Sequence, residues 1–217
     1  MALNITDRDK MSKFYTKYDL SQFNTVNKAY LSLFQNVFDL TKVLKDNQTT
    51  KNNDSVFKHV GKDISFLFNP KTKNPYAMDN NIKTSSLTKY DNEMLYFNVK
   101  GKEGEPWFKD ESLIVGRMTS REIKIRLVNT LNYLEHVLVV PIEETLDEIC
   151  ERYLRFNYHA RSYTWKDIDG NVLDMRSTLV ELGLSENYEN LEYVQVDEED
   201  IYIPSLYLYF NDDLTIM

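Results

Sequence analysis

Cysteine occurs once in these 217 residues, at Cys150. One thiol excludes an internal disulfide and a thiolate zinc cage, and it fits reducing surroundings. Long apolar runs are missing as well. Nothing approaches the roughly 20 consecutive apolar residues of a membrane span, and the opening "MALNITDRDKMSKFYTKYDL" lacks the apolar core of a secretion signal. The expectation is a soluble, intracellular protein. An excess of positive charge is absent too, since the net charge is -8. Nucleic acid and anionic membrane are therefore not expected as partners, because both need clustered Lys and Arg to release counterions. No G-x-S-x-G, G-x-x-x-x-G-K or G-x-G-x-x-G is present, so no signature for an activated nucleophile or a phosphate cradle is found.

What is present reads as an α+β chain of two small domains, a division that fits its length and 42% hydrophobic content. In "KAYLSLFQNVFDLTKVL", Leu31 and Leu33 alternate with Tyr30 and Ser32, and a polar "QN" turn leads into "VFDLTKVL". Two short strands joined by a tight turn are predicted. The tract Lys45–Asp54 is polar throughout and predicts an exposed loop. "SVFKHVGKDISFLFNP" predicts one or two short helices broken at Gly61, with Asp63 as an N-cap and Pro70 as the stop. Residues 69–106 read as a long irregular connection, more ordered near Tyr96.

The second half is clearer. Ile123, Ile125 and Leu127 alternate, as do His136, Leu138 and Val140 after an "NTLN" turn, which predicts an antiparallel hairpin. Thr145 with Glu148 spells a capping box. Leu146, Ile149, Cys150, Tyr153 and Leu154 then form the stripe of an amphipathic helix. Asp169-Gly170 predicts a turn between "SYTW" and "VLDM", and "IPSLYLYF" alternates as a last strand. This order of elements describes a β-grasp.

Most candidate sites have a plain structural alternative. "DIDGN" at 167–171 hints at a calcium loop, but its glycine stands at position four where an EF-hand needs it at six, which favours the turn. Cys150 lies on the apolar helix face, where a thiolate is disfavoured. Glu135-His136 and Tyr158-His159 have no third partner for acid-base work. On the last strand Leu206, Leu208 and Phe210 are expected to face the core, turning Tyr207 and Tyr209 outward beside Tyr202. That tyrosine stripe suits a protein interface, and it equally suits cross-strand packing. Trp107 and Phe108 follow a rigid Pro106. They are read either as packing between the two domains or as an interface.

A resemblance sharpens this reading. Gly170, Leu173, Thr178 and Leu179 sit where the ubiquitin-like fold carries G-x-x-L-x-x-x-x-T-L, and "AYLSLFQNVFDLTKVL" is similar to the early strands of cytochrome b5 domains. Both halves in this order, with "DISFLFNPKT", "SYTW" and "YFNDDLT", resemble the cytochrome b5 domain-containing protein 1 family. The resemblance implies an N-terminal extension over 1–20, a cytochrome b5-like domain over 21–106, an interdomain segment over 107–120 and a ubiquitin-like domain over 121–217. It also implies a subunit of a large complex in the ciliary axoneme, with radial spoke and other axonemal proteins as partners. The chain ends in "NDDLTIM" without a Gly-Gly tail, against conjugation as a modifier.

The same resemblance raises haem. A cytochrome b5 fold holds iron between two imidazoles. Only His59 of the three histidines lies in the first half, and in some family members His-Trp stands where this sequence has Phe66-Leu67. Bis-histidine haem is thereby excluded. His59 with Met78, or His59 with an open position, is the residual option, and the plain reading of His59 is a half-buried histidine bonded to nearby backbone. Phe66, Leu67 and Phe68 are expected to fill part of the space a porphyrin would take. The expectation is a non-enzymatic adaptor without a cofactor or metal. Its rival is a haem-binding redox sensor or electron-transfer module.

Overall fold

Thr16 stops one strand and starts a helix in a single step. Its hydroxyl accepts from the Asp19 N–H while the Asp19 carboxylate accepts from the Thr16 N–H, each at 3.0 Å, so two orphan donors are satisfied reciprocally. β1 (Phe14–Tyr15) precedes this cap and α1 (Lys17–Gln22) follows it. The computed structural model describes residues 13–46, 58–76, 105–184 and 203–211, and the chain divides into two units, Met1–Met118 and Thr119–Met217.

In the first unit, β2 (Asn24–Thr25), β3 (Lys28–Leu33), β4 (Asn36–Asp39) and β5 (Ile114–Met118) join β1 in a sheet of order β1-β5-β4-β3-β2. β1 runs parallel to β5 and the other pairs are antiparallel. The tight turn expected at Gln35-Asn36 falls one residue earlier, at Phe34-Gln35, with φ of 48° and 68°, the primed-turn geometry that matches strand twist. β4 is shorter than the "VFDLTKVL" expectation. The Asp39 carboxylate accepts from the Thr41 N–H at 2.8 Å, and the chain turns into α2 (Thr41–Asp46), which buries Val43 and Leu44.

After His59, a turn with Gly61 at φ 80° and a 3-10 turn over Ser65–Leu67 stand where one or two short helices broken at Gly61 were predicted. Asp63 is not an N-cap. Its Oδ1 accepts from Ser32 Oγ at 2.8 Å and Ser65 Oγ at 2.7 Å, tying this turn to β3. The exposed loop expected over 45–54 falls mostly outside the described residues, and so does most of the connection over 69–106, Tyr96 and Met78 included.

Two boundaries need correction. β1 and α1 are part of the first unit, so residues 14–20 are not an extension. The segment 107–118 also belongs to that unit. Trp107, Phe108 and Leu113 are buried in its core with Leu31, Phe38, Leu44, Ile64 and Phe68, and Ile114–Met118 is a sheet strand. Gly116 explains why β1 could dock there. A Cβ at this position would lie 2.3 Å from the Lys13 carbonyl oxygen and 2.7 Å from the Tyr15 ring, closer than any side chain allows, so only glycine permits the approach.

The second unit follows its predicted pattern closely. β6 (Glu122–Asn129) and β7 (Glu135–Pro141) pair antiparallel, Leu127 facing His136 and Ile125 facing Leu138. The Thr145–Glu148 capping box forms and opens α3 (Leu146–Tyr153), whose Leu146, Ile149, Cys150 and Tyr153 are buried. β8 (Tyr163–Lys166) and β9 (Ser205–Phe210) complete a sheet of order β7-β6-β9-β8, with β9 parallel to β6. A hairpin, a helix and a last strand returning beside the first make up the β-grasp. Leu179 is fully buried and Leu173 packs on the same core, as the ubiquitin-like resemblance implied.

Candidate functional site

In the first unit the question is whether the residues fit a haem. His59 is the unit's one histidine. It sits half-buried in a turn, and its carbonyl accepts from the Lys62 N–H at 3.1 Å. The core beside this turn is aromatic and close-packed. The Phe68 ring lies 5.2 Å from Phe108 and 6.5 Å from Trp107, and Trp107 lies 5.4 Å from Phe38 and 5.7 Å from Phe108. All four pairs are edge-to-face, the arrangement that the ring quadrupole favours. Phe34 approaches Phe68 at 6.2 Å on one side and receives the Lys73 ammonium at 4.2 Å on the other.

Leu67 and Phe68 are thus core residues, but Phe66, expected to fill space beside them, is 59% exposed. Low-spin haem iron in this fold needs two strong axial donors. The unit supplies one imidazole, and the segment beside it is committed to a ring cluster. These residues do not fit a bis-imidazole haem.

Trp107 and Phe108 are buried in this same cluster. They present no surface, and the reading of them as interface or interdomain packing is corrected: a rigid Pro106 precedes a 3-10 turn that drives both rings inward.

In the second unit, β9 alternates as predicted up to its end. Leu206 and Leu208 are fully buried, Tyr207 is half-buried and Tyr209 exposed. The Lys166 ammonium lies over the Tyr209 ring at 4.7 Å, and Val128 is the partner of Tyr207 across the ladder. Phe210, expected in the core, is 47% exposed. At the strand's end it leaves the helix-covered area and rests edge-on against Tyr163 at 5.3 Å. Tyr202 lies outside the described residues.

Several exposed apolar side chains were not singled out from sequence. Among them, five exposed apolar side chains follow one another along the β6–β7 hairpin: Leu131, Tyr133 and Leu134 at its tip, then Val137 and Val139 on β7. Tyr133 is 82% exposed and has a left-handed φ of 58°. Its tip is nevertheless held firmly. Asn129 Oδ1 accepts from the Leu131 N–H at 2.9 Å, Asn132 Oδ1 accepts from the Leu134 N–H at 3.1 Å, and the Thr130 hydroxyl and N–H both donate to the Leu208 carbonyl. The low charge of "NTLNYLEHVLVV" was the available signal, hidden by attention to the inward half of the alternation.

Two further groups were missed. Glu144 and Arg152 form a bidentate pair with both contacts at 2.6 Å, the side chains 6% and 15% exposed. Glu143 accepts from the Thr119 hydroxyl, the Ser120 N–H and the Ser120 hydroxyl at 2.6–2.8 Å. Burial disfavours the Glu143 charge, yet the hydrogen bonds from Ser120 and Thr119 outweigh it and hold the carboxyl below its ordinary value. Burial pushes the Cys150 thiol up to about 11, as expected for a core cysteine. His136 rests on Tyr153 at 5.6 Å and Phe156 at 4.9 Å, Glu135 faces Arg126 at 3.7 Å, and the Tyr158 and His159 rings pack on each other. None of these contacts brings together an acid, a base and a nucleophile. Among the described residues no three His, Cys, Asp or Glu side chains are grouped to hold a metal, and no helix is long and apolar enough to cross a membrane.

Comparison with known proteins finds relatives along 94% of the chain. A "Cytochrome b5 domain-containing protein 1" of Xenopus laevis is 35% identical over 212 residues, covering 94% of this chain and 96% of that protein. The Homo sapiens protein of the same name is 32% identical over 219 residues, covering 94% and 92%. No family model matches. Among solved structures, the N-terminal ubiquitin-like domain of the 4931431F19Rik protein covers 43% of this chain and 79% of its own, with 11% identity and a TM-score of 0.30. A cytochrome b5 of Ostreococcus tauri virus 2 covers 48% and 95%, with 16% identity and a TM-score of 0.26.

Proposed function

Because the chain belongs to the cytochrome b5 domain-containing protein 1 family, we propose that it is a non-catalytic adaptor subunit of the ciliary axoneme, seated at the radial spokes. The axonemal placement is supported by the family resemblance of the sequence. The adaptor role rests on one observation: where a cytochrome b5 domain would hold iron, this chain has a single imidazole beside a packed ring cluster. A shell without its redox group contributes shape and surface. The second unit contributes surface as well, through Tyr207, Tyr209 and the exposed hairpin residues. Aromatic and aliphatic groups on a firm backbone suit protein contacts, since little ordering entropy is lost on binding.

Charge constrains how such an adaptor attaches. At net -8 it is repelled by the acidic surface of tubulin, so attachment runs through specific patches on spoke proteins instead of general adhesion to the lattice. The test is to locate the tagged protein in cilia that lack radial spokes. Loss from the axoneme is expected, and persistence on the doublets overturns the proposal. Haem addition to the purified chain separates the redox reading: a stoichiometric Soret band abolished by His59→Ala would replace the adaptor with a haem module.

A further inference from the structure

Among the described residues, the β6–β7 hairpin ends the second sheet with a strand paired on one side. The Asn129 N–H donates to the Leu134 carbonyl and the Ile142 N–H to the Arg121 carbonyl. In an antiparallel ladder, bonded and non-bonded pairs alternate, so Leu134, His136, Leu138 and Val140 turn their backbone groups toward β6. Glu135, Val137 and Val139 therefore turn theirs outward. β7 lies at the end of the strand order, and among the described residues the ladder of Glu135–Val140 is with β6. Proteins ordinarily blunt such an edge with charges, bulges or a covering segment. Here two exposed valines flank it, Val137 at 51% and Val139 at 38%. Leu131, Tyr133 and Leu134 extend the apolar surface past its end.

We infer that the outer edge of β7, together with the hairpin tip, is a docking site for an extended, uncharged aliphatic segment of a partner protein, which adds to the sheet as a further strand. The inference rests on the adaptor reading and specifies its contact. Charge decides the class of segment. In 129–140 the one charged side chain is Glu135, which Arg126 faces at 3.7 Å. Lys124, the ladder partner of Val139, is offset by Glu122 on the same strand, so the charges beside the edge sum to zero and favour neither an acidic nor a basic tail. Main-chain hydrogen bonds then supply affinity, and alternate side chains against Val137, Val139 and the tip supply selectivity.

A second copy of this chain is the weaker occupant. Seven residues at about 3.4 Å each give an edge about 24 Å long, and with a sheet thickness of about 10 Å its footprint is about 240 Å² per side. Symmetric pairing would bury about 480 Å² in total, well short of the roughly 1,200 Å² that a stable interface needs, and two chains of -8 repel each other besides. A flexible peptide can follow the edge and then fold over the tip, covering more.

The full-length chain is titrated with a synthetic peptide of alternating valine and threonine, about nine residues long to span edge and tip, while backbone amide exchange is followed residue by residue. Exchange at Glu135, Val137 and Val139 is expected to slow by at least about tenfold on binding, with Leu138 and Val140 protected beforehand. Val137→Pro removes one outward N–H without touching the β6 ladder and should weaken binding about 10–100-fold by stranding a peptide carbonyl. An N-methylated peptide removes the complementary donors to the outward carbonyls on the unaltered chain and should likewise bind about 10–100-fold more weakly than the unmodified peptide. An Asp-Val analogue should bind more weakly. Absence of peptide binding, equal binding by Val137→Pro and by the N-methylated peptide, or a free chain that sediments as a dimer with its outward amides already protected would each overturn the inference. The isolated chain is used throughout, so failure here leaves the adaptor reading to be judged by location in cilia.

Discussion

Phe68→Ala puts the packed-shell reading to a quantitative test. Phe68 is 1% exposed and meets Phe34, Trp107 and Phe108 edge-on at 6.2, 6.5 and 5.2 Å. Removing a buried Phe forfeits about 1.5–3 kcal/mol of transfer free energy, and each aromatic pair adds about 0.5–1.5 kcal/mol. Partial collapse of the neighbours recovers some of this, leaving a cost of about 3–5 kcal/mol. Each unit holds one of the chain's two tryptophans, Trp107 and Trp165, both buried. Urea unfolding followed by tryptophan emission therefore reports on the two units separately. With a slope of about 2 kcal/mol/M, a loss of about 4 kcal/mol lowers the first unit's midpoint by about 2 M, while the second unit's transition stays put. A shift below about 0.5 M would show that the cluster is loosely packed or repacks freely. Haem that raises the first unit's midpoint in the unaltered chain would refute the packed-shell argument directly, since a ligand stabilises only the state that binds it.

Three further outcomes follow from the second unit. Thr145→Ala removes the cap of α3 and should cost about 1 kcal/mol, read from the Trp165 transition. Glu144→Gln or Arg152→Met alone leaves a buried charge without its partner and should cost about 3–5 kcal/mol, whereas replacing both with apolar residues should recover most of that; an additive double mutant would contradict the pairing seen here. The Cys150 thiol, raised by burial from 9.0 to about 11, keeps its proton in the folded state where the unfolded chain loses it. Its contribution to stability is whole below pH 9 and fades as pH rises toward 11. Alkylation at pH 8 should track global unfolding, and fast labelling of the native protein would disprove the burial.

The second unit was legible because each element carries its own local signal. Alternation at Ile123–Leu127, the Thr145–Glu148 box and the stripe Leu146–Tyr153 need no distant partner to be recognised. The first unit hid its sheet in short strands whose meaning is non-local. Phe14–Tyr15 and Ile114–Met118 have little pattern of their own and become strands through a pairing about a hundred residues apart. Trp107 and Phe108 misled for a related reason, since two large rings after a proline look the same in sequence whether they turn inward or out. The histidine inventory, in contrast, was readable from the start because counting requires no coordinates. The docking edge was missed because periodicity marks the buried half of a strand and is silent about the other half.

The glycine at 116 sets a timetable for biosynthesis. The strand it belongs to is the last piece of the first sheet to be made, and it slots between β4 and the strand that began the unit. A chain leaving the ribosome at about 5–20 residues per second must hold Phe14 and Tyr15 without their neighbour for several seconds. The unit can close only once residue 118 has cleared the exit tunnel. Nascent chains stalled before that point should be sensitive to protease and bind chaperones, and those stalled well beyond it should resist digestion.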